Sequence, residues 1–184
     1  MVVPRRVHIF GASGSGTTTL GAALGQQMHV PHLDTDDFYW QPTDPPFQEK
    51  HPPEHRIATI RAAIQGHRGW VLSGSLLSWG GPLVPLFELA VFVTLDPVER
   101  MRRLLVRERA RYGSRIEAGG DLEGSCREFL DWAATYDDPD SPHGRSRANH
   151  ERWIGELPCP VLRLDSIEPL DVMVERTIRT LEGL

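Results

Sequence analysis

Lysine is nearly missing from this chain. Of its twenty basic residues nineteen are arginine, and Lys50 stands alone. Any site that needs a lysine ammonium therefore draws on position 50 or does without. Cysteine is equally sparse. Cys126 and Cys159 lie far apart with no metal-ligand spacing, which excludes a disulfide framework and a cysteine-held metal, and predicts reduced core thiols. No apolar run approaches the length needed to span a membrane, and the N-terminus has no secretory apolar segment, so the expectation is a cytoplasmic protein without a membrane partner. Nor is there an excess of cations. A formal net charge of −5 argues against a general nucleic-acid binder. Internal repeats and low-complexity linkers are also absent, and monomer and dimer are both compatible with what remains.

What is present is the pattern of one α/β domain over 1–184, with 40% hydrophobic residues to build its core. Short β-forming runs alternate with helical periodicity. The strands read as Val7–Phe10, a short run through Leu33 closed by Asp34, Trp70–Ser73, Leu89–Leu95 and Cys159–Leu164. Between them, helical spacing marks 20–28, 54–65, a helix opened by Asp96-Pro97, 122–133, a helix from Ser141-Pro142 to about Glu156, and 169–181. Such alternation predicts a doubly wound parallel sheet. Residues 41–53 carry five prolines and read as an irregular flap that contains Lys50.

Gly11-Ala12-Ser13-Gly14-Ser15-Gly16-Thr17-Thr18 lies between the first strand and the first helix. A glycine-rich turn there forms a nest of backbone N–H groups at a helix N-terminus, which favours phosphate. The spacing is that of the P-loop, with Thr17 where the phosphate-binding lysine normally stands. Thr18 occupies the position whose hydroxyl reaches magnesium. Asp34 and Asp36 follow the second strand, at the ligand-carrying end of such sheets, where a carboxylate serves a metal-bound water or a substrate hydroxyl; capping a helix is their plainer role. Arg100, Arg103, Arg107 and Arg111 recur at three, four and four and form one stripe. It reads either as a solvated basic face or as a set of phosphate-reaching cations. Phe38, Tyr39, Trp40 and Trp79 are candidates for core packing or for stacking on a base.

Two readings of the loop compete. Gly11, Gly14 and Gly16 with Asp34 also fit a dinucleotide-binding turn and its ribose acid. The P-loop reading covers more of the chain, and on it the sequence resembles the adenylate-kinase-related small P-loop kinases, which include nucleoside monophosphate kinases and shikimate kinase. The resemblance rests on the loop at 11–18, Asp34-Thr35-Asp36, Ser73-Gly74 and the arginine-rich helix, in that order. It implies a three-layer P-loop fold with a five-stranded parallel sheet and a short arginine-rich lid at 107–121. It implies ATP held by Gly11, Ser13, Gly14, Ser15, Gly16, Thr17, Thr18 and Thr19, with Asp165 near the adenine and Arg107, Arg111 and Arg115 as the lid arginines at the phosphates. Mg²⁺ would be held by Thr18 with Asp34 or Asp36. One of these carboxylates would orient or deprotonate a small-molecule acceptor, and one of Arg103, Arg107 and Arg111 would supply the charge absent at Thr17. A nucleotide-binding protein or slow NTPase without an acceptor is the alternative that the missing lysine favours.

Overall fold

A computed structural model describes residues 5–184. Its five strands are β1 (Arg6–Gly11), β2 (His32–Asp34), β3 (Trp70–Ser73), β4 (Leu89–Thr94) and β5 (Val161–Asp165). All pairings are parallel, in the order β2-β3-β1-β4-β5. The helices are α1 (Thr17–Met28), α2 (Asp36–Tyr39), α3 (Pro53–Ile64), α4 (Pro97–Tyr112), α5 (Glu123–Ala134), α6 (Arg147–Ile154) and α7 (Leu170–Glu182).

Side chains alternate across each strand, so β1 feeds two layers. Val7 and Ile9 join Val91, Val93 and Leu164 beneath Leu20 and Leu24 of α1 and Met173 and Leu181 of α7. His8 and Phe10 face the other side. There Phe10, Ala90 and Phe92 meet Trp153 and Ile154 of α6, while Leu33, Trp70 and Leu72 pack with Ile60 and Ile64 of α3. β3 and β4 are apolar on both faces because helices cover both.

The His8 imidazole is fully buried, stacked between Phe10 and Phe87, with its Nδ1 3.0 Å from the Leu72 carbonyl. Burial drives its pKa down to about 3, so it is a neutral core group.

Two sequence expectations change here. The helix expected from Ser141-Pro142 begins only at Arg147. The Ser141 hydroxyl is engaged by Thr135 and the His143 amide, forming a turn, and it is Ser146 that caps the helix by accepting from the Asn149 N–H at 3.3 Å. Arg100 does not belong to a solvated stripe. It is 1% exposed and bolts α4 to its neighbours, donating to the Ala133 carbonyl at 2.9 Å and pairing with Asp137 at 3.1 Å.

The proline-rich stretch is irregular, as composition predicts, yet its base is tied. Trp40 and Lys50 form an antiparallel bridge, and the amides of Gln41 and His51 donate to the carbonyls of Glu49 and Tyr39, both at 2.9 Å. Of the stretch 107–121 expected as a lid, 107–112 are the last turns of α4 and only 113–121 form a compact loop, its Arg115 held by Asp121 at 2.7 Å.

Candidate active site

β1 is flanked on both sides, so the turn that follows it is held at mid-sheet. Gly14 and Gly16 have φ of 83° and 91°, the left-handed region that glycine adopts without strain, and this curls the loop back over the start of α1. The buried Ser15 hydroxyl donates to the Ala12 carbonyl at 2.9 Å and braces the curl. No side chain caps α1 and no acid stands in its first turn, so its leading amides are available to an anion.

Thr18 and Thr19 are exposed toward a cleft of about 1270 Å³, which Ser13, Gly14, Gly16 and Thr17 also line. That exceeds the roughly 300–1,000 Å³ of a single-ligand pocket and leaves room for two ligands. Gly11 and Ser15 are buried within the loop rather than on the cleft wall.

Asp34, at the end of β2, is the fixed carboxylate. It accepts from the Thr18 hydroxyl at 2.6 Å, from Ser73 Oγ at 3.3 Å and from the Asp36 amide at 3.0 Å. Ser73 is itself 2.9 Å from His32 Nε2, and burial lowers the His32 pKa against the pull of Asp34. The Asp36 carboxylate differs. Among the described residues it accepts no hydrogen bond; it is open to the cleft but hemmed in by its walls, and this desolvation raises its pKa. Arg145 and Arg107 act in the opposite sense on Asp36, and Asp34 reinforces the rise. Gly74, just beyond β3, has φ of 109°, and a Cβ there would lie 1.8 Å from Thr35 Oγ1. Glycine is what lets the Asp34–Asp36 turn pack onto the end of β3.

The expected arginines reach the cleft already paired. Arg103 is bound to Glu99 at 2.9 Å and donates to the Ser166 hydroxyl and carbonyl at 3.3 and 3.2 Å. Arg107 pairs with the buried Glu108 at 2.9 Å, and Arg111 shares the same carboxylate at 3.9 Å. Asp165 is exposed outside the cleft lining, accepting from the Ile167 amide at 3.0 Å, while its neighbour Ser166 lies 3.9 Å from where a Gly16 Cβ would be. Lys50 lines the cleft with its ammonium over the rings of Tyr39 and Trp40 at 5.7 and 5.6 Å, and Trp79 is buried at the same wall.

Sequence reading passed over Arg145. It lies on the cleft wall between α5 and α6, donates to the Gly11 carbonyl at 3.3 Å, and sits over the Trp132 ring at 5.9 Å. Its signal was Gly144-Arg145-Ser146, a glycine and a cap residue around one arginine, hidden by assigning the stretch to a helix interior.

The strand order separates the two readings of the glycine loop. In the dinucleotide-binding arrangement the second strand lies beside the first; here β3 takes that place and β2 is at the edge. This is the P-loop kinase fold. Among solved structures, the chain resembles shikimate kinase from Bacteroides thetaiotaomicron (TM-score 0.57, 17% identity, covering 97% of this chain and 98% of that one). It also resembles a gluconokinase from Sinorhizobium meliloti 1021 (TM-score 0.51, 16% identity, covering 98% and 93%). No family profile matches the sequence. The chain belongs to the family of the protein described as "Uncharacterized protein YqaC" from Bacillus subtilis (strain 168), to which it is 38% identical over 174 residues, 95% of this chain and 96% of that one. No helix among the described residues is long and apolar enough to cross a membrane.

Proposed function

We propose that the protein is a phosphotransferase that moves the γ-phosphoryl group of ATP to a small-molecule acceptor. The observation that carries this reading is the 2.6 Å contact between Thr18 and Asp34 at the mouth of an uncapped glycine loop, inside a cleft with room for two ligands. The α1 amides and the Ser13–Thr19 backbone bind the phosphates. The hydroxyl and carboxylate of Thr18 and Asp34 are hard oxygen donors, the set that suits Mg²⁺. No cluster of three or more His, Cys, Asp or Glu stands among the described residues, in keeping with an ion that takes its remaining ligands from water and phosphate. When bound, Mg²⁺ neutralises phosphate charge.

Asp36 is the acceptor-side base. Asp34 is committed to Thr18, Ser73 and the turn amide, whereas the Asp36 carboxylate is unbonded, lines the cleft and has its pKa raised by desolvation. For an alcohol acceptor, its oxygen forms a bond to the γ-phosphorus and its proton passes to Asp36. The bond from the γ-phosphorus to the bridging oxygen breaks, and ADP leaves with that electron pair. A phosphate acceptor needs no base and would rest on the arginines. The adenine end is assigned to the Asp165–Ser166 turn, beside Gly16 and under Arg103.

The activities in the names of the two structural neighbours make hydroxy acids the first acceptors to try, followed by nucleoside monophosphates and sugars. ATP consumption is measured with each acceptor and with none. Turnover raised by one class supports the proposal; a slow basal rate that no acceptor raises overturns it in favour of a nucleotide hydrolase.

A further inference from the structure

The uncharged Thr17 leaves the glycine loop without its usual cation, and an arginine not already held by a carboxylate is the candidate to supply it. Arg100 is taken up by Asp137 and the Ala133 carbonyl, Arg103 shares Glu99 with Arg102, and Arg107 and Arg111 share Glu108, so each of these cations is already held by a carboxylate. Arg145 is different. Among the described residues it makes no ion pair, its Nε is buried with no partner, and of its five N–H donors one is used, on the Gly11 carbonyl. Burial lowers its pKa, with Asp36 the first of the groups that oppose the fall. A guanidinium on the cleft wall whose Nε is shut off from water without a partner is costly unless an anion completes it.

Its setting holds it there. Trp132 lies beneath the guanidinium, and α6 begins one residue later at the Ser146 cap. α6 is fixed in turn by His150, whose Nδ1 is 2.6 Å from the Tyr136 hydroxyl and whose Nε2 is 3.3 Å from Ser75 Oγ. That imidazole is neutral, its pKa lowered to about 3 by burial and by Arg145 itself, so it adds no competing charge.

We propose that Arg145, reaching the glycine loop from the start of α6, supplies the phosphate-facing cation that Thr17 lacks, and that its idle donors bind the terminal phosphates of a nucleoside triphosphate. This inference rests on the nucleotide-binding part of the proposed function. It also transfers the compensating role from Arg103, Arg107 and Arg111 to a residue outside the arginine-rich helix.

The test is calorimetric binding of ATP and of adenosine to the wild type, to Arg145→Gln and to Thr17→Lys/Arg145→Gln. Arg145→Gln is expected to weaken ATP on the order of 10- to 100-fold, the range of a charge-assisted contact, with adenosine affinity unchanged. Adding Thr17→Lys is expected to recover about tenfold of that loss. A merely structural clamp would not be rescued from position 17. Unchanged ATP affinity in Arg145→Gln, or no recovery in a folded double variant, overturns the inference. A wild type that fails to bind ATP strikes the proposed function itself. Should the glutamine variant not fold, butanedione modification of the wild type with peptide mapping replaces it: ATP protects Arg145 if the inference holds, and unprotected modification overturns it.

Discussion

The Thr18 hydroxyl donates to the Asp34 carboxylate at 2.6 Å, joining the first turn of α1 to the end of an edge strand sixteen residues later. The two groups come from either side of β3, and neither has a reason from local structure to face the other. Asp34 meanwhile accepts from Ser73, the last residue of the strand between them. Three elements thus converge on one carboxylate beside the glycine-rich turn.

Asp34→Ala should therefore separate metal dependence from nucleotide binding. On the proposed function, kcat/KM with the identified acceptor falls on the order of 10²-fold. Affinity for ADP without metal stays within about threefold, because the loop amides that bind phosphate are untouched. Initial rates across a magnesium series, paired with metal-free binding, check both halves.

Gly74→Ala places a methyl group 1.8 Å from Thr35 Oγ1 on a residue whose φ is 109°. Backbone strain and overpacking add, giving an expected loss of about 3 kcal/mol in urea unfolding. The same variant shifts the Asp34–Asp36 turn, so its turnover falls by more than its stability predicts.

Arg100→Met is expected to destabilise, and because Arg100 also donates to the Ser13 carbonyl at 3.4 Å it loosens the glycine loop as well. Removing the guanidinium leaves Asp137 its second partner, Arg147 at 3.2 Å, so the cost lies at the low end for a broken buried pair, about 3 kcal/mol. For a chain of this size that is a melting temperature lower by about 6–12 °C. A thermal scan decides it; an unchanged melting point would return Arg100 to the surface stripe.

His8 and His150 impose a pH dependence on folding. Each is held neutral by burial, with a folded pKa of about 3 against an ordinary 6.5. A depressed folded pKa gives stability that is present above 6.5 and lost as pH falls from there toward 3, because only the unfolded chain takes up the proton. Each imidazole contributes a slope of about 1.4 kcal/mol per pH unit in that window. Urea titrations between pH 6 and 5 should show a shallower loss of stability in His150→Gln than in the wild type.

The sheet and the loop were legible because they are written in local terms. Apolar runs such as Leu89–Val93 and the glycine spacing at 11–18 need no tertiary information to be read. The place of Asp34 at a strand end beside the loop was legible for the same reason. The arginines were not. Arg100 and Arg107 have identical local signatures on α4, and what distinguishes them is Asp137 and Glu108 and the packing of α5, all set by tertiary structure. Arg145 was invisible from spacing because its meaning comes from a contact with Gly11, 134 residues away.

β3 also acts as a ruler. Neighbouring strands stand about 4.8 Å apart, so one intervening strand fixes the backbones of β1 and β2 at roughly twice that separation. The gauge across which Thr18 and Asp34 meet is therefore cut by main-chain hydrogen bonding, which side-chain replacement does not change. Residues on the walls of the cleft can be replaced while the span between the Thr18 and Asp34 oxygens stays the same. Insertions within Trp70–Ser73 are the changes that would alter it.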